Sequence, residues 1–120
     1  KIQPIKKRKD FLKGNASAYA SMNSVIVQSY SRLDDTPDDT SIKLGITCSK
    51  KIGNAVLRNK AKRRLREAGK IVLEKIGKSN RNYILIARKD ITIKIKFCDL
   101  CNDIEGGIKK IYSHKKENQC

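Results

Sequence analysis

From Lys50 to Arg66 the chain reads KKIGNAVLRNKAKRRLR, and eight of these 17 positions are lysine or arginine. No acid occurs from Thr40 through Arg66. The chemistry such a cluster offers is the binding of phosphate. Arginine grips phosphate oxygens with a two-pronged fork, and lysine acts as a compact point charge. Asn59 adds a neutral donor and acceptor among the cations. Wound as a helix, the segment from Leu57 onward collects Leu57, Ala61, Leu65, Ala68, Val72 and Ile76 in one arc about 100° wide, the stripe that faces a core. Arg58, Asn59, Lys62, Arg63 and Arg66 take an adjoining and largely opposite arc. Lys60 and Arg64 lie on the other flank, and Lys50 and Lys51 lead into the helix. A charged face that merely meets water usually mixes signs. Arg58, Lys62 and Arg66 instead stack like charges at i,i+4, which costs stability unless a polyanion neutralises them. The amides around Gly53 and Asn54, at the positive end of the helix dipole, offer a second phosphate contact.

No other constellation competes. His114 is the only histidine, so a paired acid and base on the protein is not available, and no Ser/His/Asp arrangement is visible. Cys98 and Cys101 form a C-x-x-C pair, and Cys48 and Cys120 complete the set of four cysteines. A zinc site would need both pair members, His114 and one further ligand. Cys98 and Cys101 also fall in an apolar helical pattern, where cysteine packs as a small hydrophobe. The expectation is free thiols in a reducing, cytoplasmic setting, with no metal or cofactor held by the protein.

The elements that must position the basic segment follow from periodicity. Residues 42–48 alternate, with Ile42, Leu44, Ile46 and Cys48 on one side and Lys43, Gly45 and Thr47 on the other, as a half-buried strand does. Asn54 is a plausible N-cap for a helix from about Ala55 to Lys75. Residues 82–88 are apolar almost without interruption and predict a central strand. Residues 24–31 read as a strand, 33–40 as a loop around Pro37, and 5–20 as a short helix interrupted by Gly14. Residues 97–112 have helical spacing despite Gly106 and Gly107. Residues 91–95 alternate like a strand, and pattern alone leaves them open. The order helix, strand, strand, helix, strand, helix suggests an α+β fold: a small central sheet packed with helices in a two-layer single domain over 1–120, with 115–120 as a frayed tail.

The whole chain agrees with an anionic partner. It has 120 residues, 28 Lys plus Arg against 12 Asp plus Glu, and a net charge of +16. A compact domain so charged repels itself, and a polyanion relieves the repulsion. No apolar run approaches the length of a membrane span, so no membrane partner is expected. The basic opening KIQPIKKRKD lacks the apolar stretch of a secretory signal. DNA reading is disfavoured, because no helix-turn-helix spacing is visible and a Lys/Arg face suits backbone contact over base readout.

The segment SKKIGNAVLRNKAKRRLREA resembles the signature of the bacterial ribonuclease P protein: a strand running into Lys-Lys, a Gly, Ala-Val, then Arg-Asn and further basic residues. KKRKDFLK near the start and Tyr83–Lys89 are looser matches. The resemblance implies a subunit that binds a large catalytic RNA and the leader of precursor tRNA and promotes leader removal during tRNA maturation. It implies an active centre with magnesium in the RNA of the holoenzyme, and no catalytic residue on the protein. It places Lys51, Arg58, Asn59, Lys62, Arg63 and Arg66 against the catalytic RNA, and Lys50 and Lys60 join the expected RNA contacts as cations of the same basic segment. It assigns Phe11, Ser49, Arg88 and Lys89 to a leader-binding cleft on the sheet beside the first helix. Phe11 has a second reading as core packing. Two positions depart from the family pattern. Lys60 ends the Arg-Asn-Lys triplet where arginine is usual, and Asn15 stands where a second aromatic often follows Phe11 by one turn. The resemblance further implies a left-handed β-α-β crossover through residues 42–88, against the general right-handed rule. The alternative function is a non-catalytic ribosomal or RNA-assembly protein.

Overall fold

Val25–Ser31 and Arg81–Ala87 carry apolar or buried side chains on both faces, and they lie side by side inside one mixed sheet. The computed structural model describes residues 2–14 and 17–118, with side chains described through Ser113. The strands are β1 Ile2–Pro4, β2 Ala18–Ser21, β3 Val25–Ser31, β4 Ile42–Thr47 and β5 Arg81–Ala87, in the spatial order β1-β4-β5-β3-β2. β4 pairs in parallel with β1 and with β5, whereas β3 is antiparallel to both β5 and β2. The helices are α1 Arg8–Gly14, α2 Ala55–Ile76, α3 Ile91–Lys94 and α4 Phe97–Asn118. A 3₁₀ turn at Lys50–Ile52 precedes α2. α2 therefore connects two adjacent parallel strands, β4 and β5, as the strand-helix-strand reading of residues 42–88 requires.

Two layers carry the core. Leu44, Tyr83, Leu85, Val25, Val27 and Ala20 point from one face of the sheet into a cluster with Leu65, Ala68 and Val72 of α2 and Leu100, Ile104, Ile108 and Ile111 of α4. Alternation along each strand makes this one face. The 22-residue α2 shows why its sequence folds as expected. The Asn54 side chain accepts a hydrogen bond from Leu57 N at 3.0 Å, and Ala61, Leu65 and Ala68 are fully buried. Leu57 is a correction to the predicted stripe. It is 39% exposed, because it folds back over Gly53 instead of reaching the sheet. At the other end, Tyr112 donates to Ile76 O at 2.9 Å and meets the Tyr83 hydroxyl at 2.6 Å, tying α4, α2 and β5 together. Burial, followed by that bond to Tyr83, pushes the Tyr112 phenol well above its usual range.

Other expectations change. The helix read over 5–20 is confined to Arg8–Gly14, and Tyr19 lies instead in β2 with its side chain exposed. β1 is a three-residue edge strand ending in Pro4, a residue that sheets accept at edges. Residues 91–95 alternate like a strand, but Ile91–Lys94 is a helical turn. β5 already has partners on both sides, and Thr92 is buried, bridging Arg88 N at 2.7 Å and Ser24 O at 2.6 Å. Gly106 and Gly107 do not break α4. A Cβ at Gly107 would lie 2.8 Å from Val27 Cγ2, so glycine there lets the helix settle on β3. α4 runs on to Asn118, into the segment read as a tail. Cys101 packs against the core, but Cys98 is exposed and is not the packed hydrophobe expected.

Candidate nucleic-acid interface

α1 lies on the sheet face opposite α2 and α4, and glycines seat it there. A Cβ on Gly45 of β4 would come within 2.7 Å of the Phe11 ring. A Cβ on Gly14 would come within 2.4 Å of Ile84 in β5 and 2.9 Å of Gln28 in β3. Gly45 and Gln28 both pair with Ile84, so α1 crosses the sheet along a single rung. Tyr30 fixes its height, donating to Asp10 O at 2.8 Å and accepting from Asn82 Nδ2 at 2.8 Å.

On one side of α1 the next rung is Thr47, Ile86, Ile26 and Ser21, and all of these side chains are at least partly exposed. The parallel pairing of β4 and β5 brings their ends to one place. Thr47 pairs with Ile86, and Ser49 and Arg88 each follow two residues later. Ser49 and Lys89 are exposed, and Arg88 is half-buried with a bond from its guanidinium to Ser21 Oγ at 2.9 Å. Phe11 is half-buried against Gly45, so it packs and still keeps part of its ring in solvent. Phe11, Ser49 and Arg88 therefore border one open stretch of sheet, and Lys89 is exposed just past Arg88. Asn15 lies outside the described residues.

The basic face of α2 adjoins this stretch. Cys48, just before Ser49, donates its thiol to Arg58 O at 3.7 Å, which places the first turns of α2 beside the end of β4. Burial pushes the Cys48 thiol up, only partly opposed by Lys62 and Arg58, so it is no reactive thiolate. Lys50, Lys51, Asn59, Lys60, Arg63 and Arg66 are exposed, and Arg58 and Lys62 are half-buried. Among the described residues the ion pairs are Lys13–Asp35, Arg32–Asp39, Lys43–Asp39, Lys75–Glu105 and Lys109–Glu105. None involves a cation between Lys50 and Arg66. Arg58, Lys62, Arg63 and Arg66 thus stand unpaired on one side of α2, with Lys50 and Lys51 leading into it and Lys60 on the other flank.

Two details of that surface differ from the sequence reading. Arg64 is structural, bonding the Ile95 carbonyl and so holding α2 against the end of α3. The amides near Gly53 are also less free than expected, since Gly53 N donates to Lys50 O and Leu57 N to the Asn54 cap. Sequence reasoning missed Tyr19, which is 68% exposed on the open face beside Ser21. The signal was the alternation of Tyr19 and Ser21 with the buried Ala20. As for metal, no group of three His, Cys, Asp or Glu side chains among the described residues is placed to hold an ion. The His114 side chain and Cys120 fall outside them. No described helix is long and apolar enough to cross a membrane.

Comparison with known proteins gives the family. The family model for Ribonuclease P matches residues 1–112. The Ribonuclease P protein component of Ruegeria pomeroyi is 40% identical over 114 residues, covering 95% of this chain and 90% of that protein. The component from Paramagnetospirillum magneticum is 32% identical over 118 residues, covering 97% and 87%. The solved RNase P protein of Staphylococcus aureus superposes with a TM-score of 0.70 at 32% identity, covering 91% of this chain and 94% of that one. The Thermotoga maritima RNase P protein has the same fold, with a TM-score of 0.69 at 21% identity. The basic helix, the open sheet face and these likenesses converge: the chain belongs to the ribonuclease P protein family.

Proposed function

We infer that this chain is the protein subunit of ribonuclease P and acts in tRNA maturation. The observation that carries the reading is the cationic face of α2, which among the described residues has no ion pair between Lys50 and Arg66 and lies next to an open sheet face. The two surfaces divide the work. Lys50, Lys51, Arg58, Asn59, Lys60, Lys62, Arg63 and Arg66 hold the phosphate backbone of the catalytic RNA. Phe11, Ser49, Arg88 and Lys89 meet the leader of precursor tRNA, with Phe11 offering a ring for base stacking, a contact worth about 1–3 kcal/mol. The protein contributes binding and orientation, which lower the barrier by holding reactants in register. The bond-breaking centre lies in the RNA, where magnesium supplies Lewis-acid chemistry. On this reading the step asks no proton transfer of the protein's residues. The alternative of a ribosomal or assembly protein is not favoured.

The test is reconstitution of the full chain with a ribonuclease P RNA and precursor tRNA. Leader removal at limiting magnesium should be faster with the protein than with RNA alone. Alanine at Arg58, Lys62 and Arg66 together should weaken binding to the RNA. Alanine at Ser49, Arg88 and Lys89 should erode the preference for leader-bearing over leaderless tRNA and leave RNA affinity unchanged. A protein that binds the RNA and leaves cleavage and substrate preference untouched would sink the assignment.

A further inference from the structure

α1 divides the open sheet face in two, and the half away from Ser49 and Arg88 has no role so far. There the sheet rung is Lys43, Asn82 and Tyr30. A cleft of about 890 Å³ lies over it, walled by the segment that enters α1 and by the loop after β3. We propose that this cleft is a second RNA site, one that takes the sugar-phosphate backbone of a single-stranded segment. The proposal rests on the RNA-binding reading above and extends it to a surface that neither the basic helix nor the Phe11 side of the sheet includes.

Charge selects the occupant. Lys6, Lys7, Lys9, Lys13, Lys43 and Arg32 line the cleft, together with the acids Asp10 and Asp35. Asp35 is taken by Lys13, and Lys43 is paired with Asp39 at 3.4 Å. Lys6, Lys7 and Lys9 are exposed and have no ion pair among the described residues. Arg32 is 6% exposed. It bonds Asn82 Oδ1 and the Ser41 carbonyl, each at 2.6 Å, while its buried Nε has no partner. Arg32 also pairs with Asp39 at 3.5 Å, the carboxylate that Lys43 shares, so the floor is rigid and its cations are largely neutralised, and the charge that meets an anion is on the rim at Lys6, Lys7 and Lys9. Lys7 O accepts from Asp10 N at 3.1 Å as the chain turns into α1, which gathers Lys6, Lys7 and Lys9 at one corner of the rim. Lysines without a fork suit contact along a backbone and no reading of bases.

The full chain is titrated with a single-stranded oligouridylate, following backbone amide and arginine Nε–H resonances, with sodium chloride at matched ionic strength as the control. The same titration is run on the Arg58→Ala, Lys62→Ala, Arg66→Ala triple variant. Saturable shifts at Lys7, Lys9, Lys13 and the Arg32 side chain are expected in both proteins. Substituting Lys6, Lys7 and Lys9 by Gln should abolish those shifts, leave core resonances in place, and lower the salt slope of oligonucleotide binding by about 2, at ~0.7 per single-strand phosphate. Shifts confined to α2 that vanish in the α2 variant would overturn the second site. So would cleft shifts that sodium chloride reproduces. The reconstitution test above reads the α2 surface through cleavage and RNA affinity, so its failure is distinguishable from failure here.

Discussion

At the scale of single residues, glycine and aspartate set the geometry around the open face. Gly45 has a buried position under the Phe11 ring. Gly45→Ala inserts a methyl into that contact, and overpacking of this kind typically costs about 1–3 kcal/mol. Denaturant unfolding of this variant should show that loss, and a neutral result would mean α1 is not seated on Gly45. Asp39 is a different device. Hydrogen bonds from the Ser41 hydroxyl and amide, helped by Lys43 and Arg32, hold its carboxyl down at about 2. A depressed carboxylate contributes stability above its unfolded value, ~3.9 for aspartate, and loses it as pH falls toward the folded value. Protection of the loop amides around Pro37, taken relative to their intrinsic exchange rate at each pH, should therefore fall between about pH 4 and pH 2. Asp39→Asn should remove that step and leave the loop equally open on both sides of it. Neither role is legible in the chain. The acidic loop reads only as a loop, and nothing near Gly45 in sequence announces that Phe11, 34 positions earlier, will lie over it.

At the scale of elements, legibility follows the length of the pattern. α2 is readable because 22 residues repeat one apolar stripe and one basic stripe, and Asn54 marks the start. β5 is readable because a continuous apolar run needs cover on both faces. β1 and β2 are too short for a period, and Ala18 and Ala20 have no strand preference of their own, so pairing with β4 and β3 decides them. The basic surface was legible for the same reason as α2. The Phe11 side of the sheet came from family resemblance, since its residues come from α1 and from just past the ends of β4 and β5, and meet only through strand register. The division of faces on α2 makes a paired prediction. Leu65 is fully buried, and Leu65→Ala should cost ~2–5 kcal/mol of stability. Alanine at Arg58, Lys62 and Arg66 should leave thermal unfolding unchanged or slightly improved, because like-charge stacking is relieved. The same triple variant should show a shallower salt dependence of RNA binding. If it unfolds early yet binds RNA normally, the basic face serves the fold and the RNA surface is elsewhere.

At the scale of the molecule, a net charge of +16 sits on a body with a radius of gyration of 13.7 Å. The described ion pairs fall at the α1–loop contact, the loop after β3, the α2–α4 contact and within α4, leaving the cations from Lys50 to Arg66 and those from Lys6 to Lys9 without one. Self-repulsion of this kind destabilises the folded state, and two remedies differ in form. Salt screens all exposed charges alike, with a Debye length of about 10 Å at 0.1 M. An anion that seats on the folded surface stabilises by mass action, about 2.7 kcal/mol at a hundred times its dissociation constant. For a domain of this size that corresponds to a rise in Tm of roughly 10 °C. Sulfate carries the tetrahedral oxygens and charge that Arg58, Lys62 and Arg66 would meet on RNA. Thermal unfolding in sodium sulfate should therefore exceed that in sodium chloride at equal ionic strength, with the excess growing logarithmically in sulfate. Sulfate also strengthens burial in every protein by exclusion from the surface, and the Arg58, Lys62, Arg66 alanine variant corrects for that. Its sulfate excess should shrink, whereas an undiminished excess would mean that no anion seats on the helix and that screening and exclusion explain the whole response.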